Sequence, residues 1–358
     1  MTDLLYSEAE TDLRAAVRSL LSDHADPAAL VAGAAESGSP YDVGLWKALA
    51  SGIGAAGLLV PEKLGGQGAG HREAAVVLEE LGRSVAPAPY LTSSVVATEV
   101  LLALGDDVGE ATALLGDLAA GRRTAVAALP LSAAADGPLP GGTERVTGVA
   151  DAVRADVFLV LRSDGLYLLE RSGVSVEPQT ALDLTRPPAA VTPGTAGTRI
   201  ADREAGEAAV RRGLLAGAGL LASEQLGVAE WCLEETVRHT RERHQFNRPV
   251  GSFQALKHRM AQLWLEVVSA RAAARAAADA LATGSPDAAV AVAVAQAYCS
   301  GAAVHAAEEC VQLHGGIGMT WEHPAHLYLK RAKADEIALG TPGLHKEALA
   351  ALVDLPAP

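Results

Sequence analysis

Two stretches of this sequence have residue types and spacings that could hold a ligand. The first is RERHQFNRPVGSFQALKHRM, residues 241–260. Arg243 and Phe246 fall at the end of a long amphipathic run, and Gln254 falls in the first turn of the next one. A guanidinium beside the free N–H groups of a helix N-terminus makes an anion site, because both present donors to phosphate oxygens. Charge alone also fits a solvated basic helix end, and taken alone it favours that. The second stretch is VQLHGGIGMTWEHPAHLYLKRAKADEIALGT, residues 311–341. Gly315–Gly316, with Gly318 beyond, should end a helix and let another molecule approach the backbone. Pro324 suits the first turn of the helix that follows. A lone Gly-Gly is most often an interhelical turn. The company of the first stretch is what points to a ligand.

These stretches must be positioned by the rest of the chain. The apolar spacing predicts helices over Ser7–Ala32, Tyr41–Ser51, Arg72–Leu81 and Leu91–Leu104. A Ser/Gly/Pro break at Ser37–Pro40, a Gly-rich loop with Pro61 and a proline-bearing segment Ser84–Pro89 separate them. The character changes at Arg122. Short apolar or alternating runs at Thr124–Leu131, Val146–Val149, Val157–Leu161, Leu166–Leu169 and Ala189–Val191 read as strands, with Ser163–Asp164–Gly165 as a turn. Helical patterning then returns over Ala208–Arg241, Ser252–Leu281 and Asp287–His314, and the second stretch closes a four-helix unit. The chain therefore divides into an N-terminal helical domain over 1–120, a middle β-domain over 121–204 and a C-terminal four-helix domain over 205–358.

Composition narrows the function classes. The 358 residues are 49% hydrophobic with only three Phe, so the core must be built from small aliphatic side chains. A net charge of −14 argues against nucleic acid or an anionic membrane as the main partner. Cys232, Cys299 and Cys310 lie in apolar helical sequence without metal-ligand spacing, which implies reduced buried thiols and a cytoplasmic setting. The N-terminus lacks the basic and apolar regions of a signal peptide. The run Ala288–Ala297 could mimic a membrane span, but Asp287, Gln296 and His305 interrupt it and favour a buried helix.

The whole chain resembles the acyl-CoA dehydrogenases. The resemblance rests on LW-x-x-L-A, GLLVPEKLGGQG and LEELGRSVAPAP in the first domain, and on RERHQFNRPVGSFQALKHRMA and VQLHGGIGMTWEHPAH in the last. FQALKH and LHGGIGMTWEHPAHLYLKR are similar to the actinobacterial branch that handles steroid side-chain and other bulky acyl-CoAs. The resemblance implies a mainly α fold: N-terminal helical bundle, middle β-barrel-like domain, C-terminal four-helix bundle. It also implies FAD, an acyl-CoA thioester substrate, a tetramer and electron-transfer flavoprotein as acceptor. Arg243, Gln245, Phe246, Gln254, Gln312, Gly315, Gly316 and Thr341 would then serve the pyrophosphate and adenine half of a flavin held mostly by a neighbouring subunit.

The departures from the family pattern concern chemistry. The family's base is a Glu before Gly-Thr, and here that position is Leu339. Its alternative site, on the first helix of the last domain, corresponds to Gly217. Neither can take the α-proton of a thioester. The β-domain segment that normally holds the flavin ring corresponds to Ala127–Ala135, where only Pro130 and Ser132 fit. Glu224, two helical turns beyond Gly217, is a weak candidate for a relocated base, with a structural or surface role preferred. Glu322 reads as a turn or cap residue, and Asp335 and Glu336 as facing solvent or a partner. His314, His323 and His326 form a loose cluster without metal geometry, so no metal is expected. Three readings stay open: a base-lacking subunit of a heteromeric dehydrogenase, a homomeric enzyme with a relocated base or altered flavin chemistry, and a non-catalytic acyl-CoA-binding or scaffold subunit.

Overall fold

The computed structural model describes residues 4–25, 30, 42–105, 108–142 and 144–355. The break expected at Ser37–Pro40 and the tail of the first predicted helix lie outside the described residues. Helix α1 runs over Glu8–His24 and begins at a reciprocal cap, in which Ser7 accepts from the Glu10 N–H and Glu10 accepts from the Ser7 N–H. Helices α2 (Val43–Lys47), α3 (His71–Arg83), α4 (Thr98–Leu102) and α5 (Gly109–Ala119) complete the N-terminal helical part. The helix expected over Leu91–Leu104 differs in its first half: Tyr90–Ala97 is a π-helix, buried at every position, that follows Pro89.

Seven strands come next: β1 (Ala125–Ala127), β2 (Val146–Ala150), β3 (Val157–Arg162), β4 (Gly165–Glu170), β5 (Val174–Pro178), β6 (Pro188–Pro193) and β7 (Thr198–Asp202). They form a four-stranded sheet ordered β1-β3-β4-β7 and a three-stranded sheet ordered β2-β6-β5. The two-residue Ser163–Asp164 turn joins β3 to β4 in register, with Arg162 opposite Gly165. Alternation sets where the cores lie. Phe158 and Val160 of β3 join Val126, Leu169, Val149 and Val191 between the sheets. Val157, Leu159 and Leu161, on the opposite face, join the main helical core. Strands β5 and β7 have no counterpart among the predicted runs. They are short edge strands that alternate with exposed Ser175 and Glu177 or carry exposed Thr198 and Arg199, so neither reads as an apolar run.

The rest is helical: α6 (Arg203–Glu242), a small hairpin of β8 (His244–Gln245) and β9 (Arg248–Pro249), α7 (Gln254–Ala282), α8 (Ala288–His314), α9 (Ala325–Ile337) and α10 (Pro342–Leu352). Helix α10 is an additional element, packed on α8 beyond the four helices expected. Helix α6 spans 40 residues and contacts α3, α7, α8 and α9. Its small residues permit this. A Cβ at Gly227 would lie 1.9 Å from the Glu79 carbonyl oxygen, so α3 and α6 meet backbone to backbone there. Helix α8 is long and apolar enough to cross a membrane, yet it is largely buried against α6, α7, α9 and α10. Cys232, Cys299 and Cys310 are free and buried.

Candidate functional site

The two stretches meet in one cleft. The last turn of α6 brings His239 and Arg243 to its wall, and α7 brings Arg259. Gln245 enters from the β8–β9 hairpin, whose loop residues Phe246 and Asn247 have φ of +54° and +57°. Gln312, Gly315 and Gly316 close the other side at the C-terminus of α8. The cleft holds about 430 Å³, within the usual range of roughly 300–1,000 Å³ for ligand sites. Gly315 has φ +65° and ψ −137°, a conformation that needs glycine. A Cβ placed on Gly315 or Gly316 would have no atom within 4 Å, so both backbones are open to close approach. These features suit the diphosphate-linked adenine half of a flavin: two guanidinium groups, amide side chains and bare backbone.

Three residues assigned to that half do not line the cleft. Phe246 is 85% exposed and stands edge-on to Phe253, over which Arg248 stacks at 3.8 Å. Gln254 opens α7 and is exposed. Thr341 caps α10, accepting from the Leu344 N–H at 3.3 Å, and α9 separates it from Gly315 by roughly 20 Å at 1.5 Å per residue. His239 and Arg259 were missed in the sequence. His239 lies four residues before Arg243, hence on the same helix face, and that spacing was the available signal.

The histidines divide differently from the expected trio. His314 Nε2 and His323 Nε2 lie 3.5 and 3.4 Å from Glu235 Oε1, while the His326 ring meets Trp321 edge-on instead. Glu235 also accepts from Arg238 at 2.5 Å. Hydrogen bonds directed from His314 and His323 hold the Glu235 carboxyl well below its ordinary value. Glu235, His314 and His323 could in principle surround a metal ion, but the His323 tautomer does not fit one. His323 Nδ1 accepts from the Ala325 N–H at 3.2 Å, so its Nε2 keeps the proton. His314 Nδ1 donates to the Cys310 carbonyl at 2.6 Å. Its buried Nε2 faces the Glu235 carboxylate at 3.5 Å, so it calls for a proton. Burial opposes that charge, yet bonds to Cys310 and Glu235 push the His314 pKa up to about 10. The group is an ion pair at the C-terminus of α8, whose partial negative charge favours a protonated His314. The α9 cap contact comes from His323; Glu322 is exposed in the turn before it.

At the far end of α9 the chain closes on itself. Leu339 is 3% exposed with φ +55°, a strained value for a leucine. Its N–H donates to the Leu131 carbonyl at 2.7 Å, and His345 Nε2 donates to its carbonyl at 3.1 Å. Gly217 sits directly opposite: a Cβ there would lie 3.1 Å from Leu339 Cδ1 and 2.6 Å from Val96 Cγ2. The two positions to which the family resemblance assigned a base thus face each other. Leu339, with Thr92, Val96, Leu131 and Leu214, lines a small cavity of about 30 Å³. None of its described lining residues is ionisable. The loop Ala127–Ala135 supplies Pro130 and Leu131 to this wall. Beyond it, His345, Arg211, Arg212, Leu215, Ala218 and Ala348 line a separate, mostly apolar cleft of about 460 Å³.

Glu224 does not line that cavity. It is fully buried; Arg186 donates to both its oxygens at 2.6 and 2.7 Å, and Arg331 donates to Oε1. Arg331 also pairs with Asp183 at 2.5 Å, and Arg186 with Asp335 at 2.8 Å. Burial raises the Glu224 pKa, but Arg186 and Arg331 outweigh it and hold the carboxyl below its ordinary value. A carboxylate so held is a poor proton acceptor. Asp335 corrects the sequence expectation of a solvent-facing or partner-facing acid: it is 0% exposed. Burial, and then the charge of Glu224, push its pKa up to about 8. Glu336 is half-buried and lies 3.7 Å from Lys333. The network ties the β-domain to α6 and α9. Its members were individually visible in the sequence, but their convergence across 38 to 149 positions was not.

Comparisons with known proteins agree with this architecture. The family models for the acyl-CoA dehydrogenase N-terminal domain and C-terminal domain match residues 7–121 and 204–353. The chain is 38% identical to acyl-CoA dehydrogenase IpdE2 of Mycolicibacterium smegmatis over 337 residues, covering 94% of this chain and 96% of that protein. Among solved structures, the ChsE4-ChsE5 complex from Mycobacterium tuberculosis superposes with a TM-score of 0.86 at 28% identity, covering 99% of this chain and 100% of that one. A Tcur3481-Tcur3483 steroid ACAD variant does so with a TM-score of 0.85 at 30% identity, covering 97% and 98%.

Proposed function

Because this chain belongs to the acyl-CoA dehydrogenase family, we propose that it is the base-lacking subunit of a heteromeric, FAD-dependent acyl-CoA dehydrogenase. A homologous partner chain supplies the Glu that takes the α-proton, and this chain lends the adenine half of a flavin site across the interface. The observation that carries the reading is an asymmetry. The cleft at Arg243 and Gly315 is open at about 430 Å³, whereas the place where chemistry would occur is filled by Leu339 to about 30 Å³. Bound flavin supplies the hydride acceptor. The chain's own part is electrostatic and steric. Arg243 offers a cation to a diphosphate beside Arg259, which Glu309 holds at 2.5 and 2.7 Å; Gln245 and Gln312 offer amide groups, and Gly315–Gly316 offers backbone at close range. Phe246, Met319 and Trp321 are exposed on the loops beside that cleft, as suits a surface covered by a partner.

The relative described as a steroid ACAD supports a bulky, steroid-derived acyl-CoA as substrate; electron-transfer flavoprotein as acceptor follows from the family resemblance alone. The test is coexpression with a homologous chain that carries the Glu. The expected product is a yellow complex that dehydrogenates acyl-CoA when neither chain does so alone. A flavin-loaded, fully active homotetramer of this chain would sink the proposal. The separate cleft of about 460 Å³ beside His345 favours a second reading, an acyl-CoA-binding subunit. Acyl-CoA binding by the flavin-free chain would support it.

A further inference from the structure

We propose that His239 is a phosphate ligand of the cleft that takes up one proton when a diphosphate binds. The inference rests on the reading of the cleft as the adenine half of a flavin site. His239 lines the same cavity as Arg243, four residues on, and Arg259, which enters from α7. Its ring packs against His314 with centroids 4.2 Å apart and makes no hydrogen bond among the described residues. The imidazole is therefore uncommitted, at a wall where an anion would arrive.

The surrounding charges set its protonation. On α6 it neighbours Glu235 and Arg243; α8 contributes His314, the loop before α9 contributes His323, and α7 contributes Arg259. Glu235 is already taken up by Arg238, His314 and His323. Burial first, and then the charge of His314, hold the His239 pKa below its ordinary value. The imidazole is thus neutral in the free protein near pH 7. Glu235 and Glu309 are already paired, with Arg238 and Arg259 respectively, so an incoming diphosphate brings unpaired negative charge to the ring, which favours the imidazolium. The proton comes from solvent, and no bond is made or broken elsewhere. His314, already protonated up to about pH 10, does not titrate in this range.

The probe is ADP-ribose, because its two phosphates are already fully ionised above pH 5. Binding is measured by calorimetry in Pipes and in Tris, whose ionisation heats differ, using the chain and its complex with the homologous subunit. The expected result is uptake of close to one proton per site at pH 7, with Kd lower at pH 6 than at pH 8 by up to about 10-fold per unit. His239→Asn should bind with neither proton uptake nor pH dependence. Arg243→Ala should bind more weakly at every pH and still take up the proton. Wild-type binding without proton uptake, or equal uptake by His239→Asn, would overturn the assignment. Absence of binding by both preparations at every pH would instead bring down the flavin-site reading, and this inference with it.

Discussion

Asp335→Asn should make the protein's stability less dependent on pH, and above pH 5 the variant should become the more stable form. Asp335 is fully buried, and its pKa is pushed from 3.8 in a free carboxyl to about 8, by burial first and then by Glu224. Between those values the folded state holds a proton that the unfolded state has released. Stability therefore falls as pH rises, by up to about 1.4 kcal/mol per unit for one proton. From pH 5 to pH 7 the loss amounts to as much as about 3 kcal/mol. Asparagine keeps an oxygen for the Arg186 bond of 2.8 Å and has no proton to lose, so this component vanishes. Other groups cancel in the comparison. His314, held up to about 10, lowers stability with rising pH in both proteins. Glu224 and Asp183, held low by Arg186 and Arg331 despite burial, act only in acid below the ordinary carboxylate range. Urea unfolding at pH 5, 6 and 7, followed by tryptophan fluorescence, measures the difference. If the stabilities of the two proteins run parallel across that range, the account of the buried network is wrong.

Glu224→Gln should reduce stability by about 3–5 kcal/mol, the usual cost of breaking a buried ion pair, and destabilise the assembly as a whole. A stable variant that had lost only turnover would restore Glu224 as a base. Leu339→Glu should not create a dehydrogenase: the carboxylate would enter an apolar space of about 30 Å³, so the melting temperature should fall and turnover by the chain alone should stay absent. Arg243→Ala, at an exposed position, should lower the flavin content of the purified complex about 10-fold or more while leaving the melting temperature within a degree or two, because one lost charge-assisted hydrogen bond is worth about 1.5–3 kcal/mol.

What the sequence determined by itself was local or periodic. The three-part chain follows from a hydrophobic period that switches from helical to alternating and back, and a period depends only on neighbours along the chain. The glycine turn at Gly315–Gly316 was legible for the same reason, since a positive φ is a property of one residue. Leu339 and Gly217 pointed to a missing carboxylate only through the family resemblance that assigned a base to their positions. The sequence did not show that these two positions touch, nor that Leu131 seals them, because the contact joins segments far apart in the chain. Nor could it separate Asp335 from Glu336, adjacent acids in one helix. One turns into a buried network with Arg186 and Arg331, and the other stays half-buried beside Lys333. A side chain's charge state depends on what surrounds it in space. His239, Arg259 and the pairing of Glu235 with His314 and His323 thus came from the tertiary structure, as did the small size of the cavity beside Leu339.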